Sequence, residues 1–196
     1  MWGWENYSVA NPAFIERINP SAEEPVESYL SVFSHVGRAA IMGLFEVGKL
    51  KSSDCVVVSG ASGATGAIAC QIAKAHGNRV IGIAGGRHKC ESLATDFSLD
   101  GVIDYKTQNV PMELSRLCPS GVDLFFDNVG GPTLDAVVVP DFQRVFPELE
   151  EILHKLFREG KIRNRAHIIE GLRNAPTALG LLFEGKNAGK LMVKVA

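Results

Sequence analysis

The chain has 196 residues, of which 46% are hydrophobic and 21% charged, as is typical of a globular protein with a buried core. Its 20 Lys and Arg residues and 22 Asp and Glu residues leave a net charge of −2, which argues against a general nucleic-acid-binding protein. No run approaches the roughly 18 apolar residues of a membrane span, and the first residues do not resemble a signal peptide. We therefore expect a cytoplasmic protein that does not bind membranes.

The four cysteines are spaced 15, 20 and 28 residues apart, with no CxxC pair. Because zinc clusters need closely spaced pairs of ligands, this spacing predicts no metal site. We expect four reduced and mostly buried thiols.

The first part of the chain carries weaker signals than the middle. Residues 1–18 are predicted to hold one strand, around Trp4–Val9. Residues 19–25 read as a turn or linker because they combine Asn, Pro and Ser. From Val26 the apolar spacing is helical, and Gly48 is a plausible end of the helical region.

Four short apolar segments then alternate with helical patterns at a period of roughly 22 to 25 residues, which indicates βαβ units and a parallel sheet. The predicted strands are Cys55–Ser59, Arg79–Ala84, Val102–Ile103 and Val122–Phe126. The predicted helices between them are Ala67–His76, Lys89–Phe97 and Val110–Cys118. The expected fold class is therefore α/β, with a Rossmann-like parallel sheet.

After residue 139 the rhythm changes. Pro147–Glu159 is predicted as a strongly amphipathic helix, followed by a helix over 177–183 and a final strand at Leu191–Val195. We divide the chain into a remnant strand (1–18), a partial nucleotide-binding domain (19–146) and C-terminal helices with a return strand (147–196).

A glycine-rich loop, GASGATG over residues 60–66, lies between the first buried strand and its helix. Glycines at such a place allow a tight turn, close approach of a pyrophosphate and close packing of helix on strand. The spacing is GxxGxxG rather than GxGxxG, but the strand–loop–helix context is the one that dinucleotide binding requires. The alternative is a relic loop that binds nothing.

The turn after the second strand favours NADP over NAD as the cofactor. An NAD site needs a carboxylate about 20 residues beyond the glycines, to bind the ribose hydroxyls. This sequence has Gly85 there, followed by Gly86, Arg87 and Lys89, and these cations would attract a 2′-phosphate. The alternative is a solvated turn.

Several motifs together resemble the medium-chain dehydrogenase/reductase superfamily, in the branch of prostaglandin reductase, leukotriene B4 12-hydroxydehydrogenase and curcumin reductase. They are VVVSGASGATGAIACQIAK, IGIAGGRHKC, GVIDYK, GVDLFFDNVGG and the tail from EGKIRNRAHIIEGL to the last strand. The resemblance implies a zinc-independent, NADP-dependent oxidoreductase. Such enzymes transfer a hydride to the carbon–carbon double bond of small α,β-unsaturated ketones and aldehydes.

The resemblance also implies cofactor-binding positions, although no catalytic residue is carried over. The loop would contact the pyrophosphate, the turn after the second strand would hold the 2′-phosphate, and the remaining residues would surround the adenosine and nicotinamide. The positions are Gly63, Ala64, Thr65, Gly66, Gly86, Lys89, Tyr105, Asn128 and Asn187. Each has a structural alternative, since Tyr105 could be a strand-end aromatic and the two asparagines could form turns.

The sequence departs from this branch by its shortness. The second half of the nucleotide-binding sheet, the tyrosine that stabilises the enolate and most of a GroES-like domain are missing, and HVGRAA at 35–40 replaces an MPGLTAY-like run. The fourth strand, with Leu124, Phe125 and Phe126, is then expected to be an open hydrophobic edge. The chain is a fragment or lacks internal segments, or is a truncated member completed as a homodimer or by another chain, or is a degenerate member.

Three functions follow from these alternatives. The first is the NADP-dependent double-bond reductase in incomplete form. The second is non-redox chemistry, as a lyase, isomerase or cyclase, in the former cofactor groove. The third is a non-catalytic NADP-binding module.

Overall fold

The structure, a computed structural model, describes residues 7–15, 17–129 and 146–195. A parallel sheet with the strand order β3-β2-β1-β4 forms the centre of this part of the chain. Val56, Val57 and Val58 of β1 are fully buried, because helices cover both faces of the sheet. The strands are β1 Cys55–Val58, β2 Arg79–Ala84, β3 Gly101–Asp104 and β4 Leu124–Phe126. The predicted α/β class and parallel sheet are confirmed.

Three helices connect these strands and make the crossovers of the βαβ units. The most buried of them, α3, has small side chains along most of its length, which lets it pack closely against the sheet. The side chain of Asn109 caps α5 by accepting a hydrogen bond from Met112 N at 3.1 Å, and a proline occupies the first turn. The three helices are α3 Ala64–Ala75, α4 Arg87–Asp96 and α5 Val110–Leu117.

The helical region that begins at Val26 is interrupted, which the sequence did not predict. It divides into α1 Val26–Tyr29, α2 His35–Met42 and a π-helical turn over Gly43–Val47 that ends at Gly48. The turn before α2 places the carbonyl oxygen of Val32 so close to Gly37 that a Cβ there would lie 1.7 Å from it. The chain therefore makes a tight turn between α1 and α2, where the apolar spacing predicted a continuous helix.

The amphipathic helix predicted near residue 147 is present as α6 Phe146–Arg158 and packs against α2. Its apolar side chains Leu149 and Leu153 are buried in the same core as α2 and α3. An ion pair between Arg38 and Glu150 also joins α2 to α6.

The last part of the chain forms a second, two-stranded parallel sheet that the sequence predicted only in part. Helix α7, Ala175–Phe183, connects β5 Ala166–Glu170 to β6 Lys190–Lys194, and a 3₁₀ turn at Leu172–Asn174 precedes it. The final strand and the helix agree with the prediction, whereas β5 was not predicted.

The strand predicted near the first residues is not seen in its described part, and β4 exposes only part of its hydrophobic side chains. Tyr7–Ala10 have no regular structure, and the rest of the strand predicted around Trp4–Val9 lies outside the described residues. On β4, which ends the sheet in the described part of the chain, Phe125 is exposed whereas Leu124 is buried, because successive side chains face opposite sides. The domain boundaries at residues 18 and 146 stay predictions.

Within the described ranges, no helix has both the length and the apolar character that crossing a bilayer requires.

Candidate functional site

A groove of about 690 Å³ lies at the carboxyl edge of the four-stranded sheet. It runs past the ends of β1 and β2 and reaches the segments that follow β3 and β4. Strand order reverses between β1 and β4, so the groove occupies the topological switch point at which ligands bind to open α/β sheets.

The glycine-rich loop forms the floor of this groove. Gly60 has a φ of +55°, and the N–H of Gly63 donates to its carbonyl oxygen at 2.9 Å. A Cβ on Gly66 would lie 2.4 Å from the same oxygen, so only glycine fits there. The N-cap of α3 is Gly63, which has no side chain to cap the helix, and the N-terminal turn of α3 lines the groove. This arrangement presents backbone donors to an anion.

Lys89 is the cation that α4 contributes to the groove lining. Its ammonium group donates a hydrogen bond to the carbonyl oxygen of Gly185. Burial, Lys106 and Arg165 together lower the pKa of Lys89 below its ordinary value of 10.5. A phosphate would relieve the repulsion among these cations.

Arg87, the other cation expected at this turn, faces solvent. Its side chain is 90% exposed and pairs with Glu91 at 2.7 Å. It is not among the residues that line the groove.

Asp104 at the end of β3 fixes the turn that precedes Lys89. Its carboxylate accepts hydrogen bonds from Gly86 N at 2.9 Å and Lys106 N at 3.0 Å. These donors lower the pKa of Asp104 below its ordinary value of 3.8, so the group is ionised at neutral pH. The Asp104 carboxylate therefore extends from β3 to the turn that follows β2, where backbone N–H groups bind it.

Replacing Asp104 with alanine should loosen this turn, because two N–H groups lose their acceptor. We expect NADPH affinity to fall on the order of tenfold, measured by calorimetry. Asp104→Asn keeps one acceptor oxygen and should lose less affinity. Equal affinity in the wild type and the alanine variant would show that Asp104 does not position the turn.

Asn128 lies where β4 meets the end of β1. Its side-chain nitrogen donates to the carbonyl oxygen of Ser59 at 2.9 Å, and its backbone N–H donates to Ser59 Oγ at 2.8 Å. The Ser59 hydroxyl in turn donates to Asp127. This network holds Asn128 against the groove.

The α7–β6 loop closes one side of the groove. Its Gly189 N–H donates to the carbonyl oxygen of Ser62 at 3.1 Å, and its Gly185 contributes to the lining together with Leu182 from the last turn of α7. The side chain of Asn187 folds back onto the carbonyl oxygen of Gly189 at 3.1 Å and is not part of the lining.

The structure thus places most of the predicted cofactor residues along one groove, although their cofactor contacts stay predictions. Gly86 and Asn187 lie outside the lining, one in the adjoining turn and the other in the covering loop. The predicted residues that line the groove are Gly63, Ala64, Thr65, Gly66, Lys89, Tyr105 and Asn128.

Sequence reasoning did not single out Ser59, Leu182 or Gly185. Ser59 ends the strand before the glycine loop, which is a signal that could have identified it. Leu182 and Gly185 lie more than 90 residues beyond Lys89 and carry no local signal. Across the described ranges, no group of three His, Cys, Asp or Glu side chains could hold a metal ion.

Known proteins that resemble this chain are dehydrogenases and NADP-dependent reductases. Residues 64–139 match the family model described as zinc-binding dehydrogenase. The NADP(+)-dependent 2-alkenal reductase of Nicotiana tabacum is 30% identical, and the alignment covers 100% of this chain and 70% of that protein. The NADPH-dependent curcumin reductase of Escherichia coli is 28% identical over 99% of this chain and 70% of its own length.

A solved structure resembles the whole described fold. CurA of Vibrio vulnificus in complex with NADPH superposes with a TM-score of 0.85 at 29% identity, covering 99% of this chain and 72% of that one. The alignment with the tobacco protein extends over 240 residues, which is 44 more than this chain contains. The matched part of the relative is therefore longer than the chain that matches it. Together these similarities show that the chain belongs to the medium-chain dehydrogenase/reductase superfamily, in the branch that includes the curcumin reductases.

Proposed function

We propose that the groove binds NADP(H) and that the chain belongs to an oxidoreductase that reduces the carbon–carbon double bond of small α,β-unsaturated carbonyl compounds. The observation that carries the proposal is the pairing of an uncapped helix N-terminus with Lys89 along one groove. The first suits a pyrophosphate and the second suits a 2′-phosphate.

The fit of the cofactor rests on the residues present. The steric limit at Gly66 keeps the loop backbone next to the space that a pyrophosphate would fill. No carboxylate is found among the groove-lining residues that the structure describes, so nothing in that lining would repel a 2′-phosphate. Asn128 is held in place by its two hydrogen bonds to Ser59. It would border the cofactor at the end of the groove that β4 forms.

A nicotinamide cofactor supplies the hydride when it is bound. This chain's own contribution is to bind and orient it: the loop at 60–66 holds the phosphates, and Lys89 selects the phosphorylated ribose. Tyr105, which packs against Gly85, would border the adenosine. The relatives' names support the substrate class, because a 2-alkenal carries a double bond conjugated with a carbonyl group.

A second candidate is non-redox chemistry, by a lyase, isomerase or cyclase, in the same groove, or cofactor binding without catalysis. It is favoured by the shortness of the chain relative to the matched part of the tobacco protein. It is also favoured by the lining itself, in whose described part Tyr105 is the one tyrosine and packs against Gly85 directly after β2, whereas Asn128 follows β4.

Titration of the 196-residue chain with NADPH and with NADH by calorimetry tests the cofactor. We expect NADPH to bind more tightly, because Lys89 gains a phosphate partner. Absorbance at 340 nm with a 2-alkenal then tests the reaction, where loss of NADPH supports the reductase. Binding without turnover favours the second candidate, and a folded chain that binds neither dinucleotide overturns the proposal.

A further inference from the structure

Two thiols meet at the amino edge of the sheet, at the opposite end of the strands from the groove. Cys55 is the first residue of β1, and Cys118 directly follows α5. Their Sγ atoms lie 3.6 Å apart. The other two cysteines are separate from this pair, since Cys70 is fully buried on α3 and the Cys90 Sγ faces the carbonyl oxygen of Ala84 at 3.9 Å.

The backbone on both sides of the pair is held by hydrogen bonds. Asp123 accepts from Cys55 N at 2.8 Å, and its own N–H donates to the carbonyl oxygen of Cys55 at 3.0 Å. Arg79 donates to the carbonyl oxygen of Leu117 at 2.9 Å. Because these bonds join β1, β2 and the segment between α5 and β4, the two sulfur atoms stay close to each other in the folded chain.

We propose that Cys55 and Cys118 form an oxidisable dithiol site, which a hydroperoxide converts into an intramolecular disulfide. Cys55 is the more exposed of the two, so its thiolate attacks one oxygen of hydrogen peroxide, the O–O bond breaks and a sulfenic acid forms. The hydroxide that leaves takes up the proton that the Cys55 thiol lost, which gives the first water. Cys118 then attacks that sulfur, the Sγ–Sγ bond forms, and the hydroxyl leaves as a second water. Two thiols are oxidised and one hydrogen peroxide is reduced to two waters.

The surroundings make this oxidation slow at neutral pH. Burial and the neighbouring Cys118 thiol raise the pKa of Cys55 to about 11, and Asp123 adds to the increase while Arg79 opposes it. Since the thiolate is the nucleophile, the rate of oxidation should rise as the pH increases toward that value. The site is therefore suited to slow, stable modification rather than to catalytic turnover.

Treatment of the folded chain with hydrogen peroxide at pH 7 and pH 9, followed by thiol counting in denaturant, tests the proposal. We expect the count to fall from four to two in a monomeric product, faster at pH 9. The oxidised form should also melt at a higher temperature, because the bridge restricts a loop of roughly 60 residues in the unfolded chain.

Peptide mapping identifies the partners. Trypsin releases Cys118 on fragment 117–144 and Cys90 on fragment 90–106, but leaves Cys55 and Cys70 together on fragment 52–74. The Cys70→Ala variant removes this ambiguity, and its 52–74 fragment should still be bridged to 117–144 after oxidation.

Cys118→Ser should lose the monomeric disulfide, whereas Cys90→Ala should keep it. Four remaining thiols in the treated wild type, a bridge to Cys90 or Cys70, or a bridge only between two chains would each overturn the proposal. Tandem mass spectrometry of the bridged 52–74 and 117–144 peptides separates Cys55 from Cys70 in the wild type as well, so a substitution that fails to fold does not decide the outcome.

Discussion

Replacing Lys89 with alanine is expected to weaken NADPH binding by about 10- to 100-fold, because a charge-assisted bond to phosphate contributes roughly 1.5–3 kcal/mol. NADH, which lacks the 2′-phosphate, should bind the variant and the wild type alike. The pKa of Lys89 is lowered by burial and by Lys106 and Arg165. Wild-type affinity for NADPH should therefore fall as the pH rises through that lowered pKa, and the alanine variant should lack this dependence. Calorimetry over a pH series measures both effects.

The neighbouring cation supplies a matched control. Arg87 lies two residues before Lys89 on the same helix, but its side chain is 90% exposed and paired with Glu91. Arg87→Ala should leave NADPH affinity within twofold of the wild type, and Lys89→Arg should retain part of it because the charge remains. If Arg87→Ala and Lys89→Ala lose affinity equally, the effect is general electrostatics and Lys89 does not select the phosphate.

The parallel sheet could be predicted because each of its strands has a recognisable pattern in its own few residues. The strand Arg79–Ala84 has the predicted bounds, since it is an apolar run that glycines flank on both sides. In contrast, Ala166–Glu170 is short and only half-buried, and it is a strand because it pairs with Lys190–Lys194, which follows 20 residues later. A strand that depends on a distant partner has too weak a pattern of its own to be read from the sequence.

The groove could be predicted where one strand–loop–helix unit builds it, and could not where separate elements meet. The glycine loop and Lys89 follow directly from β1 and β2, so their positions are fixed by the local order of elements. The contact between Lys89 and Gly185 joins residues 96 positions apart and exists because the loop before β6 docks on the glycine loop. The contact between the Asp104 carboxylate and Gly86 also joins separate elements, because it exists only where β3 pairs with β2.

Replacing Gly66 with alanine is expected to damage both the fold and the groove. The added Cβ would lie 2.4 Å from the carbonyl oxygen of Gly60 and 3.0 Å from Ala61 Cα, and backbone atoms at these places cannot rotate away as a side chain can. Overpacking of this kind costs about 1–3 kcal/mol of the free energy of unfolding. Because the loop must shift away from α3 to relieve the clash, NADPH affinity should fall by at least tenfold. Urea unfolding measures the first loss and calorimetry the second.

Two other glycines turn this substitution into a graded series. Gly63→Ala should have a smaller effect, because its Cβ would meet one atom, the carbonyl oxygen of Gly60, at 3.1 Å. Gly180→Ala on α7 meets nothing within 4 Å, so alanine should stabilise the helix by up to about 1 kcal/mol without changing NADPH affinity. The order of affinity expected is Gly180→Ala, then Gly63→Ala, then Gly66→Ala. If Gly66→Ala binds NADPH as tightly as Gly180→Ala does, the loop backbone does not approach the cofactor, and the site must lie elsewhere on the chain.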